Sequence, residues 1–94
     1  MKINILQISN KDNVAVLLSN GSRGDHFTFE NEKINLKENI NFGHKVALKS
    51  IKKGNKIIKY GEIIAYAKEN IEPGNWVHNH NIVSDRGRLK DGEK

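Results

Sequence analysis

No cysteine occurs in the 94 residues, so no disulfide braces the chain and no thiolate holds a metal. The same absence fits a reducing compartment. Arginine is scarce too, at three against thirteen lysines, and aromatic residues make up only 6%. Nucleic-acid sites favour arginine and exposed rings, so nucleic acid is not an expected partner. Thirteen asparagines, thirteen lysines and twelve isoleucines look like drift toward A/T-rich codons. The net charge of +5 still gives a basic surface suited to small acidic substrates or an acidic partner. No apolar run is long enough for a signal peptide or a membrane span, so the chain reads as soluble and cytoplasmic, with no membrane partner. No stretch keeps a helical period over about eleven residues. A catalytic pair of carboxylates, a Gly-rich phosphate loop, and a serine or cysteine placed with a base are all missing. The chain does not read as a complete enzyme.

What is present is strand-like. Short apolar runs, "INILQI" (3–8), "VAVLL" (14–18), "HFTF" (26–29), "VALKSI" (46–51), "KIIKY" (56–60), "IIAYA" (63–67) and "WVHNHNIV" (76–83), are rich in β-branched residues and bounded by Gly, Asn or Asp. The expected fold is all-β and compact, with several tight turns and little helix. "LKEN" (36–39) offers at most one helical turn, and "SNGSRGD" (19–25) reads as a flexible hairpin connection. Three segments share the form Ile-x-x-Gly-x-x-(Ile/Val): "INFGHKV" (40–46), "IKKGNKI" (51–57) and "IEPGNWV" (71–77). Their glycines suit tight turns at positive φ, and the single proline, Pro73, suits a type II turn. They read as corners of one β structure. Residues 1–83 form the expected domain. The polar tail 84–94, whose single apolar residue is Leu89, reads as mobile in isolation, a linker stub or a docking arm. A domain this small buries roughly 60–65% of its unfolded surface, so a bound metal or a partner subunit is the expected extra source of stability.

The candidate chemistry lies in the histidines. "VHNH" places His78 and His80 two apart, on one face of a strand and about 7 Å from each other. Neutral imidazole suits Zn, Fe or Mn, and His44, beside another corner, is the natural third ligand. The alternative is an ordinary set of surface polar residues. Asn79 and Asn81 fall on the opposite face, where their amides would satisfy turn backbone groups. Trp76 reads as core. Lys45 and Lys59 sit by turn glycines near His44 and Tyr60, and suit a substrate carboxylate. Lys49, Lys52, Lys53 and Lys56 read as solvated strand faces.

The stretch "GHKVALKSIKKGNKIIKYGEIIAYAKENIEPGNWVHNHN" (43–81) resembles the SAF domain of altronate and galactarate dehydratases. That pattern runs Gly-His-Lys, Ala-Leu, Ile-x-x-Gly, Lys-Tyr-Gly, Ile-x-x-Gly and closes on Val-His-x-His-Asn. It covers roughly residues 10–82 and departs at Ala65, where glycine is common. The resemblance implies a β-clip fold and a lyase that removes water from sugar acids by metal-assisted β-elimination. A close relative removes sulfite from sulfolactate. It further implies that this chain is the small subunit beside a large catalytic subunit, with self-association as a second mode of assembly. His44, His78 and His80 would ligate a divalent metal (Fe, Mn or Zn) or bond substrate oxygens. Lys45, Lys59, Tyr60 and Asn81 would bind substrate. The base and acid would come from the large subunit. Two other roles stay open: the small subunit of a sulfolactate sulfo-lyase, and a non-catalytic SAF binding or assembly module.

Overall fold

The computed structural model describes residues 1–89. Nine strands occur among them: β1 (Ile5–Leu6), β2 (Val14–Leu17), β3 (His26–Phe29), β4 (Glu32–Asn35), β5 (Lys45–Ala47), β6 (Lys56–Lys59), β7 (Glu62–Ala67), β8 (Trp76–Val77) and β9 (Ile82–Val83). They form an antiparallel sheet ordered β1-β2-β5-β8, a β3-β4 hairpin and a three-stranded sheet β6-β7-β9. This is the all-β fold expected, and the described residues contain no α-helix. None of their helices is long and apolar enough to cross a membrane.

The Ile-x-x-Gly corners set this layout. Gly43, Gly54 and Gly74 have φ of 84°, 89° and 90°. The aliphatics on either side, Ile40, Val46, Ile51, Ile57, Ile71 and Val77, are each at most 3% exposed. A fourth corner of the same shape spans residues 21–27, with Gly24 at φ 95° and Phe27 buried. It was hidden in the sequence because Gly21 stands where the pattern has isoleucine. A Cβ at Gly21 would lie 2.5 Å from Leu36 Cδ1, so only glycine fits there.

The corners couple in pairs. Gly21 and Ile40 exchange two backbone hydrogen bonds (2.8 and 2.9 Å), as do Ile51 and Ile71 (both 2.8 Å). One hairpin, β3-β4 or β6-β7, fills the interval within each pair. The halves match residue for residue. Gly21 and Ile51 lie 30 residues apart, as do Gly24 and Gly54; after the hairpins Ile40 and Ile71, and Gly43 and Gly74, lie 31 apart. The extra residue is visible: Ile58 pairs with Ile63 but Ile57 with Ala65, leaving Ile64 as a bulge. Even the side-chain caps repeat, Arg23 N–H to Asn39 Oδ1 and Lys53 N–H to Asn70 Oδ1, both 2.8 Å. The counterparts β5 and β8 pair antiparallel, Lys45 opposite Val77 and Val46 opposite Trp76. An approximate two-fold axis therefore runs between them. Because side chains alternate along a strand, β2 and β5 feed two apolar clusters. Ala15, Leu17 and Val46 pack with Phe27 and Ile40, while Val14 and Ala47 pack with Ile57, Ile71 and Val77.

Two expectations fail locally. "LKEN" makes no helical turn: Leu36 N–H bonds Asp25 O (2.7 Å) and Lys37 N–H bonds Gly74 O (3.0 Å), so neighbouring segments hold it open. "WVHNHNIV" is not one strand but β8 and β9 separated by a turn. Within the expected tail, Arg86–Leu89 form a 3-10 turn, and residues 90–94 lie outside the described part.

A polar knot ties the halves. Asp12, 1% exposed, accepts N–H bonds from Ser9 (2.9 Å), Tyr60 (3.1 Å) and Gly61 (2.8 Å). Tyr60 and Gly61 have φ of 60° and 71°, the pattern of a type I′ turn. Left-handed φ is costly for a bulky residue, and the carboxylate offsets that cost. Next to it, the Asn13 amide bonds Lys56 O and Ile58 N–H, each at 2.8 Å, beside the bulge. Burial pushes the Asp12 carboxyl up, but backbone N–H groups of Gly61, Ser9, Tyr60 and Ile8 outweigh it and hold its pKa below the ordinary aspartate value.

Asp12→Ala should cost about 2–4 kcal/mol in urea unfolding, because three backbone donors lose their acceptor. The stabilisation that Asp12 supplies should be complete above the unfolded aspartate pKa of about 3.9 and fade as pH falls through its depressed folded value. A pH series of urea midpoints, wild type against Asp12→Ala, measures this. A second contrast tests the corners. Gly54→Ala meets nothing within 4 Å, whereas a Cβ on Gly74 would run into the carbonyl oxygen of Asn35. Gly54→Ala should cost about 1–2 kcal/mol of backbone strain, and Gly74→Ala clearly more by the same unfolding assay.

Candidate functional site

Register brings the histidines together. Since Lys45 faces Val77 in the β5-β8 ladder, His44 and His78 come next, just beyond its end. Their rings lie 5.3 Å apart. Trp76 stands at the centre. Its indole is stacked with His78 at 5.0 Å and 9° between planes, and meets His80 at 5.0 Å and 43°. It also donates Nε1–H to His44 Nδ1 at 3.2 Å. Trp76 is half-buried, and its backbone N–H bonds Glu38 Oε2 at 3.0 Å. As expected it packs against the core, beside the Phe27 and Ile40 cluster, and it is also the hub of three imidazoles. Nothing in the local sequence marked that second role, because it depends on the cross-strand partner of β8.

The His-x-His pair is built differently from the strand expected. Asn81 N–H bonds His78 O (3.0 Å), His78 N–H bonds Asn81 Oδ1 (2.9 Å), and Asn81 Nδ2–H bonds Trp76 O (2.7 Å). These bonds close a tight turn over residues 78–81. His78 and His80 therefore meet around the indole instead of lining one face of a strand. Asn81 was named above as a substrate contact. It is only 3% exposed, and both ends of its amide serve the turn, so its work is to position the two histidines. Asn79 is exposed on the same turn.

The lysines adjoin this group. Lys45 is half-buried, and its pKa is lowered first by burial and then by the charge of Lys59. The His78 pKa is also lowered, chiefly by burial and further by His44, Lys45 and His80. Lys45 thus links Lys59 to the imidazoles electrostatically. Lys59 Nζ sits 5.1 Å from the centre of the Tyr60 ring, and Tyr60 is 61% exposed. His26 is elsewhere, on β3, with Lys2, Lys33 and the N-terminal ammonium among its neighbours. Among the described residues the sole ion pair joins the Met1 ammonium to Asp25 at 3.2 Å. No carboxylate there neutralises His44, His78, His80, Lys45 or Lys59.

The residues do not fit the metal centre expected of His44, His78 and His80. Indole N–H only donates, so the Nδ1 lone pair of His44 is occupied and a neutral ring carries its hydrogen on Nε2. A ligating histidine does the reverse, donating from its outer nitrogen. Among the described residues no group of three His, Asp or Glu is placed to hold a metal ion. What His44, Lys45 and Lys59 offer is N–H donors.

Fold and site together define a small, internally duplicated β domain with a cationic imidazole–lysine site. The chain belongs to the altronate/galactarate dehydratase SAF domain family, whose model matches residues 3–85. It is 41% identical over 84 residues to altronate dehydratase of Escherichia coli K12, covering 89% of this chain but 17% of that protein. Galactarate dehydratase (L-threo-forming) of the same organism is 38% identical over 80 residues, covering 83% of this chain and 15% of that protein. The (2R)-sulfolactate sulfo-lyase subunit alpha of Paracoccus pantotrophus is 43% identical over 54 residues, covering 57% of this chain and 81% of that protein. The chain thus spans about one sixth of the length of the two dehydratases.

Lys45→Met removes one of the like charges facing His78. The His78 imidazole should then titrate at higher pH than in wild type, as read from its ring-proton NMR shift. An unchanged titration would mean that Lys45 does not face the cluster.

Proposed function

We propose that this chain is the SAF-domain small subunit of a sugar-acid hydro-lyase and binds the substrate's carboxylate, while a separate large subunit carries the catalytic base and acid. One observation carries the reading: three imidazoles meet around Trp76, Lys45 and Lys59 adjoin them, and none of the five makes an ion pair with a carboxylate among the described residues. Such a cluster is electrostatically costly to a folded chain unless an anion occupies it. The named dehydratases act on sugar acids, and the domain is a small share of each, which supports a catalytic part beyond this chain.

The chemistry explains the need. A hydrogen beside a carboxylate is a poor acid, and its removal spreads charge onto the carboxylate oxygens as an enediolate. Donors fixed around those oxygens before the reaction stabilise that charge. His44 would donate Nε2–H, and Lys45 and Lys59 would supply ammonium N–H groups. A base takes the proton and an acid protonates the departing hydroxide; neither is assigned to this chain. The divalent metal implied by the resemblance is likewise assigned to none of its residues. A cytoplasmic setting accords with the lack of cysteine.

A second reading is the small subunit of a sulfolactate sulfo-lyase, where sulfite leaves in place of hydroxide. It draws support from the subunit alpha relative, a protein covered over 81% of its length.

Co-expression with a candidate large dehydratase subunit, then assay against altronate, galactarate and sulfolactate, separates the readings. Turnover of a sugar acid is expected. Lys45→Met with Lys59→Met should raise KM at least about tenfold, as expected for lost charge-assisted bonds. His78→Ala with His80→Ala should abolish turnover while the fold survives. Wild-type kinetics in both double variants would remove the site from the mechanism.

A further inference from the structure

The protonation pattern of the cluster decides what it can hold. Trp76 Nε1–H points at His44 Nδ1 from 3.2 Å, and an indole nitrogen has no lone pair to accept in return. With Nδ1 accepting, the hydrogen of neutral His44 must sit on Nε2. A ring so fixed has no free lone pair, so it takes neither a metal nor a proton from carbon. The indole is itself held. Its backbone is clamped between Glu38 Oε2 and the Asn81 amide, and its ring is stacked with His78. Lys45 and Lys59 add groups that only donate.

We infer that His44 is a donor to an anionic oxygen and not a ligand of a divalent cation, and that Trp76 is a positioning residue that fixes the hydrogen His44 presents. The inference deepens the proposed function and rests on it for the sugar-acid ligand. The tautomer itself stands on the geometry alone. The selectivity of His44 then follows from hydrogen-bond polarity: a carboxylate or sulfonate oxygen accepts from its Nε2–H, whereas a cation would meet a hydrogen there.

The test uses the full chain with 15N-labelled histidine, at about pH 8, above the histidine range. Long-range 1H–15N correlation should show His44 as one tautomer, hydrogen on Nε2 and Nδ1 bare. Trp76→Phe keeps an aromatic ring against His78 and His80 but removes the N–H. Its melting curve should show a folded protein, and His44 should become a mixture of tautomers. Titrations of wild type with galactarate and with inorganic sulfate should shift the His44 signals, with binding about tenfold weaker in Trp76→Phe. His44→Gln, which retains an amide N–H, should bind more tightly than His44→Leu. Zn²⁺ alone should leave the His44 signals in place. Hydrogen on Nδ1 in wild type, Zn²⁺ shifting His44 Nε2, or no response to either anion would overturn the inference. Sulfate binding without galactarate binding would uphold it and remove the sugar-acid reading instead.

Discussion

A single buried carboxylate governs the geometry on which the site depends. Asp12 receives the backbone N–H groups of Tyr60 and Gly61 and so holds the tip of the β6-β7 hairpin against the segment that leads into β2. Lys59 is the last residue before that tip, and Lys45 lies on β5, the neighbour of β2 in its sheet. The approach of the two ammonium groups is therefore a consequence of Asp12, though its carboxylate touches neither. Asn13 completes the tie by bonding across the bulged strand. A buried carboxylate is tolerated here because its oxygens are met by backbone donors.

Much of the framework was legible because it follows from local chemistry. Glycine at positive φ between buried aliphatics marks a corner wherever it occurs, and three corners of four carried that signature. The fourth did not, since close packing with Leu36 required glycine where the others have isoleucine. The His-x-His pair shows a different limit. Alternation is a sound guide to a strand, but Asn81 offers the same backbone a side-chain-bonded turn, and that competing local structure wins. Trp76 was legible as a core residue and packs as one, but its second role was beyond reach. A tryptophan between two strand residues usually fills a core, and its bond to His44 exists only because residues 32 positions apart meet across a ladder.

Close grouping distinguishes this cluster from ordinary surface charge, since no described lysine, arginine or histidine side chain makes an ion pair anywhere. Elsewhere on the chain, polar groups are matched closely: no buried side-chain nitrogen or oxygen among the described residues lacks a hydrogen-bond partner. Against that background, three imidazoles gathered around one indole, with Lys45 and Lys59 adjoining, represent stability forgone at one place, as functional sites commonly show.

The internal duplication carries a consequence for how such a site arises at all. His44 and Lys45 correspond to Asn75 and Trp76 in the other half, 31 residues on, and the approximate axis relates these two dipeptides. Were the halves identical, two His-Lys pairs would share one short ladder, and four basic groups would crowd it. The divergence of a single copy replaces half of that charge with an indole able to align the rest. Likeness between the halves builds the frame, while the chemistry comes from the one seam where they ceased to be alike.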